Sequence, residues 1–208
     1  MSPSVLETAL PALWLVRHGE STWNVAGLAQ GHNDEAELTG RGLRQAADAA
    51  AQFGYRPVRA IYASDLRRAQ QTAAAFAAVL GLPVHTDTRL RERSLGVLEG
   101  TAAETIGPSA TGLADGLVID PDTRPPAGES VRDLYLRAAA FCDDLAAGRT
   151  APADPSGDLL VIAHGGTLRV LDAYTRGIPV DQMTWPPVAN ATIVRISEFG
   201  TPSRGGNR

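Results

Sequence analysis

The chain has 208 residues, 44% of them hydrophobic, enough for a sizeable core, and its formal net charge of −4 excludes the broad basic field that nucleic acid or an anionic membrane surface requires. All 19 basic residues are arginines, which rules out a Walker-type phosphate loop, a Schiff-base lysine and a pyridoxal-phosphate attachment. The single cysteine, Cys142, allows no intramolecular disulfide and no thiolate metal cluster.

Residues 1–12 lack the charged start and uninterrupted apolar stretch of a secretory signal, and no run is as long as a membrane span, so a soluble cytoplasmic protein is expected. Residues 1–12 and 200–208 read as flexible ends of a single domain, 1–208, whose core runs from about 13 to 197.

The first apolar run, Leu13-Trp14-Leu15-Val16, stops at Arg17-His18-Gly19 and reads as a buried strand that delivers a guanidinium and an imidazole to the lip of a sheet. Residues 25–38 have no period and read as a loop. Thr39 looks like an N-cap, with Leu43, Ala46, Ala47 and Ala50 marking one face of a helix that ends near Gly54. A second strand, 58–63, leads into a helix over about 65–80 that carries Arg67 and Arg68 in its first turn; 82–86 reads as a third strand. Residues 101–106 suit a short helix.

The stretch 107–126 holds four prolines and three glycines without periodicity, and it is expected to be a lid-like insertion. Ser130 with Asp133 resembles a capping box, and Val131, Leu134, Tyr135, Ala138, Cys142 and Leu145 form a helical stripe in which Cys142 is apolar filler. Residues 150–157 read as a linker. The run 158–163 then repeats the grammar of the first strand and ends on His164-Gly165-Gly166-Thr167. A helix over 167–176 follows, and 190–197 reads as an edge strand, which with an exposed helix could support a homodimer.

Strands alternating with helices predict a mostly parallel α/β sheet, whose ligands sit beyond the carboxyl ends of the strands. Arg17, His18, Arg68 and His164 would then converge on one point suited to an anion, since a guanidinium fork matches phosphate oxygens. On chemistry alone either histidine could attack phosphorus. Gly165, with its neighbours, would open a helix whose free N–H groups favour an anion, and Ser21 and Thr22 offer further hydroxyl donors. No metal-ligand spacing is present. Arg67 and Arg169 are expected to face solvent in ion pairs.

Four ordered blocks carry a resemblance: Arg17-His18-Gly19-Glu20 with Asn24, Ser64-Asp65-Leu66-Arg67-Arg68, Leu90-Arg91-Glu92 with Gly96 and Glu99-Gly100, and His164-Gly165-Gly166-Thr167. Together they resemble the histidine phosphatase superfamily, in its phosphoglycerate-mutase-like branch of small bacterial phosphatases. The resemblance implies a three-layer α/β sandwich, hydrolysis of a small phosphorylated metabolite through a phosphohistidine, and no metal or cofactor.

It also implies His18 as nucleophile, Arg17 and Arg68 as phosphate grips, His164 as a donor to the transferring group and Glu92 as proton donor. Asn24, Gln30 and Gly31 would line the pocket. A carboxyl beside a phosphate dianion favours its protonated form, which suits Glu92 to that task. Two alternatives stand: a 2,3-bisphosphoglycerate-dependent phosphoglycerate mutase, which needs extra positive charge that 107–126 lacks, and a non-catalytic phosphate-binding module.

Overall fold

The apolar runs became strands and the amphipathic ones helices, in the order the sequence suggests. The computed structural model describes residues 12–54, 56–150 and 157–197. Its elements are β1 (Leu13–Arg17), α1 (Thr22–Val25), α2 (Gly40–Phe53), β2 (Val58–Ala63), α3 (Arg67–Leu80), β3 (Val84–Thr86), α4 (Pro108–Thr111), β4 (Leu113–Ala114), β5 (Leu117–Val118), α5 (Val131–Ala146), β6 (Asp158–Ala163), α6 (Gly165–Thr175) and β7 (Ile193–Ile196). The expected flexible ends, apart from Ala12, and most of the 150–157 linker lie outside the described residues.

The main sheet runs β3-β2-β6-β1-β7, parallel except for the edge strand β7. The central strands are apolar along most of their length, with charges only at Arg17, Arg59 and Asp158, because both faces are covered. One face packs Val16, Ile61, Leu160 and Ile162 against α2 and α3; the other packs Leu13, Leu15, Leu159 and Val161 against α5 and α6. The result is the three-layer α/β sandwich expected.

Local corrections have physical reasons. On α2 the buried face is Gly42, Ala46, Ala49, Ala50 and Phe53, whereas Leu43 is 50% exposed and Ala47 is exposed too. Phe53 sets this rotation by fitting edge-on between Trp14, at 5.1 Å, and Phe76, at 5.7 Å. Helix α3 starts at Arg67 rather than Asp65, and the edge strand is confined to four residues.

Ser130 and Asp133 do form a reciprocal capping box at the start of α5. Cys142 is 2% exposed in that helix, and burial pushes its thiol up to about 12, which fits an inert filler. The 107–126 stretch contains a single helical turn, α4, and the two-residue strands β4 and β5.

Candidate active site

Strands β1 and β6 pair in parallel with Arg17 opposite Ala163, so the residues that follow, His18 and His164, emerge side by side. Their ring centroids are 5.1 Å apart and their planes are tilted by 59°. Nδ1 of His18 lies 2.7 Å from the Gly19 carbonyl. A carbonyl only accepts, so Nδ1 carries the proton and Nε2 keeps its lone pair.

Gly19 matters here for packing against protein rather than ligand: a Cβ at this position would stand 2.4 Å from the Gly42 carbonyl of α2. His18 is held well below the ordinary imidazole value, first by burial and then by Arg68 and Arg17. His164 shows the same direction from burial, Arg68 and His18, and neither of its ring nitrogens has a hydrogen-bond partner among the described residues. Both rings are therefore neutral near pH 7.

Arg17 and Arg68 line a cavity of about 420 Å³ beside His18. Arg68 is wholly buried; Nη1 donates to the Asn33 carbonyl and Nη2 to that of Gly31, each at 2.8 Å, and burial lowers its pKa to about 10, leaving it charged at neutral pH. Arg17 Nη1 donates to the Val188 carbonyl. Nε of each arginine is buried and unpaired among the described residues. Unpaired buried donors cost about 1–3 kcal/mol each, so a cluster of them at one cavity is a feature that an anion would satisfy.

Glu92 borders the same cavity, with Oε2 accepting from the Gly166 N–H at 2.9 Å and Oε1 from the Arg93 N–H at 2.8 Å. Its backbone is tied down from behind. Arg137 on α5 donates to the carbonyls of Arg89 and Arg91 at 2.7 Å and of Glu92 at 2.6 Å, and it meets Glu129 through two bonds of 2.9 Å. Thr167 Oγ1 donates to the Arg91 carbonyl at 2.7 Å.

Of the expected pocket residues, Gln30 and Gly31 line the cavity. Ser21, Thr22, Asn24, Gly165 and His164 are not among its lining residues. Ser21 is spent as N-cap of α1, in a capping box with Asn24. Thr22 is exposed. Asn24 Oδ1 accepts from Asn190 Nδ2 at 3.1 Å, and that same nitrogen donates to the His18 backbone carbonyl at 3.1 Å, so Asn24 braces the histidine turn. Gly165 is the first residue of α6 and buried.

Arg67 does form a solvent-facing pair with Glu37, at 2.7 Å. Arg169 does not: it lines the cavity, donates through Nε to the Pro186 carbonyl at 2.6 Å, and lies 4.9 Å from the centre of the Trp185 ring. Its spacing of four from Gly165 places it over the helix start, a signal present in the sequence. Arg93 and Trp185 also line the cavity, and neither was singled out from sequence. Among the described residues no group of three or more His, Cys, Asp or Glu could hold a metal ion.

Neutral imidazoles set beside desolvated guanidinium groups at the carboxyl edge of a parallel sheet define a class: enzymes that move a phosphoryl group by way of histidine. The sequence pattern of the histidine phosphatase superfamily (branch 1) matches residues 13–201. The chain belongs to that superfamily.

Glucosyl-3-phosphoglycerate phosphatase of Mycobacterium tuberculosis is 34% identical over 196 residues, covering 91% of this chain and 86% of its own. A probable phosphoglycerate mutase of Yersinia pestis is 34% identical over 194 residues with the same coverage. The solved structure of the mycobacterial phosphatase superposes with a TM-score of 0.76 at 33% identity, covering 89% of each chain. Its complex with inorganic phosphate gives 0.75 at 32% identity over 90% of this chain and 89% of that one.

Proposed function

We propose that this phosphatase hydrolyses a small phosphomonoester in two steps through His18. The observation that carries the reading is the orientation of that ring: Nδ1 is committed to the Gly19 carbonyl, which leaves the Nε2 lone pair for phosphorus beside Arg17 and Arg68. Nε2 attacks, the bond from phosphorus to the ester oxygen breaks, and Glu92 passes its proton to the departing alkoxide. His164 donates toward the equatorial oxygens as their charge redistributes. Water then attacks phosphohistidine, Glu92 takes its proton, the P–N bond breaks, and inorganic phosphate leaves with His18 neutral again.

The segment around Ile106, Thr111 and Leu113, which lines the cavity, acts as the lid and shields phosphohistidine from stray water. A cytoplasmic setting fits the net charge of −4 and the one buried free cysteine. Support for hydrolysis comes from the phosphatase names of the relatives, each said of its own protein.

One observation favours the second reading, phosphoryl exchange between isomers: Arg93 and Arg169 supply positive charge at the cavity that 107–126 does not. Assaying phosphate release and phosphoglycerate isomer exchange side by side, with and without 2,3-bisphosphoglycerate, separates the two. For hydrolysis, brief incubation with substrate followed by alkaline denaturation should leave one acid-labile phosphate per chain, absent from His18→Ala. Undiminished turnover in His18→Ala would end the reading.

A further inference from the structure

The peptide unit that joins Gly31 to His32 is held from both sides. Its carbonyl accepts from Arg68 Nη2 at 2.8 Å, and its N–H donates to Glu99 Oε1 at 2.9 Å. A trans peptide points these two groups in opposite directions, so Glu99, the amide and the Arg68 guanidinium form one line of hydrogen bonds that leads to the cavity.

The same oxygen reaches the other half of the machinery. Glu99 Oε1 also accepts from the Leu95 N–H at 3.0 Å and from Ser94 Oγ at 3.1 Å, in the turn that directly follows Glu92 and Arg93. One carboxylate oxygen therefore takes three donors, one from the loop that holds Arg68 and two from the loop that carries Glu92. It has room only because residue 31 is glycine: a Cβ there would stand 2.1 Å from Oε1, and the backbone φ is +48°.

Glu99 is not among the cavity-lining residues, so whatever it does for the reaction passes through its neighbours. Its charge is felt at the phosphate grip. Burial pushes the Arg68 guanidinium down to about 10, against the opposing pull of Glu92, Asp34 and Glu99. Three donors around one oxygen, close to a desolvated cation, call for an anion rather than an apolar staple.

We infer that Glu99 is a positioning residue that sets the phosphate grip and the proton donor in one register: through the 31–32 peptide it aims Arg68, and through Ser94 and Leu95 it holds the loop of Glu92. The inference rests on the proposed hydrolysis at His18. Losing the carboxylate should loosen both ends together, and a displacement of about 1 Å at such groups costs up to about 10²-fold.

Two readings test it, one for each end. Calorimetric titration with inorganic phosphate reads Arg68; the ratio of kcat for glycerol 2-phosphate to that for p-nitrophenyl phosphate reads Glu92. In Glu99→Ala phosphate should bind about 10-fold more weakly and the ratio should fall by about 10-fold. Glu99→Gln, whose amide oxygen still accepts, should recover most of both. Added to Arg68→Lys, Glu99→Ala should weaken phosphate by less than about 2-fold, because the fork it aims is already gone. If Glu99→Ala does not fold, Glu99→Asp, which withdraws the oxygen by one methylene, carries the same comparison.

Unchanged phosphate affinity and an unchanged ratio, in a variant that only unfolds at lower temperature, would make Glu99 a structural staple and overturn the inference. Movement of one reading without the other would overturn it too, as would a fully additive loss on top of Arg68→Lys. Phosphate binding needs no turnover. A native protein that binds phosphate but leaves p-nitrophenyl phosphate intact would defeat the hydrolase reading, with the Arg68 half of the inference still decided by the titration.

Discussion

Replacing Arg137 with Met keeps most of the aliphatic stem of the side chain and deletes the five hydrogen bonds that join α5 to Glu129 and to the carbonyls of Arg89, Arg91 and Glu92. The pair is mostly buried, with Arg137 side chain 17% exposed and that of Glu129 22%. Removing one partner of a buried pair costs roughly 3–5 kcal/mol, and residual solvent contact argues for the lower end, about 3 kcal/mol. For a protein of this length that lowers Tm by roughly 6–12 °C.

Urea unfolding followed by tryptophan fluorescence would read the stability. Kinetics would read the position of Glu92. An alkyl phosphate needs its leaving oxygen protonated and an aryl phosphate scarcely does, so the alkyl-to-aryl ratio of kcat should fall by about 10-fold, a fraction of full general-acid catalysis. Combining Arg137→Met with Glu129→Gln should cost less stability than the sum of the single changes, because the second change neutralises the stranded carboxylate. Stability within 0.5 kcal/mol of the native protein (roughly the noise for surface changes) would refute the energetic argument. An unchanged alkyl-to-aryl ratio would refute the claim that Arg137 positions Glu92.

Glu92→Gln should slow alkyl phosphate turnover by about 10²- to 10⁴-fold while p-nitrophenyl phosphate still phosphorylates His18, so quenched-flow should catch accumulated phosphoenzyme. Arg68→Lys should lower kcat/KM by about 10²- to 10³-fold, since one ammonium cannot bond the Gly31 and Asn33 carbonyls and a phosphate together; the ratio against native enzyme on one substrate measures it. Stability should also depend on pH. His18 and His164 are held well below 6.5, so the unfolded chain takes up protons that the native rings refuse. Stability is then full above about pH 6.5 and falls as pH drops below it, by up to about 1.4 kcal/mol per unit for each ring. His164→Gln should remove close to half of that slope between about pH 6.5 and 5, measured by urea titrations across the range.

The layers of the fold were legible because the strands β1, β2 and β6 are near-continuous apolar runs that stop abruptly, and because Ser130 and Asp133 announce α5. The His18 side of the cavity was legible for the same reason: Arg17 and His18 sit where β1 ends, and His164 sits where β6 ends. The side lined by Arg169 and Trp185 was hidden. Trp185 and the Pro186 carbonyl lie in a stretch without regular structure between α6 and β7, so no period points to them. Arg169 reads from the sequence as a solvent-facing neighbour of the motif residues; counted from Gly165, four residues earlier, it faces the cavity. Ser21 and Asn24 satisfy each other's backbone in the capping box of α1, as hydroxyl and amide groups at a short helix start tend to do. Strands of two residues, as in β4 and β5, leave too little pattern for any period to show.

The turn that carries His18 touches α2 backbone to backbone: a Cβ on Gly19 would lie 2.4 Å from the Gly42 carbonyl, and one on Gly42 would lie 2.0 Å from the Glu20 carbonyl. No cushion of side chains separates the two, so the reactive imidazole is indexed to the helix as a tool is to its jig. A shift of α2 of even a few tenths of an ångström, caused on its outer surface far from any ligand, is handed undamped to the attacking nitrogen. Tolerance to change in this protein should therefore thin out along that helix well before the cavity itself is reached.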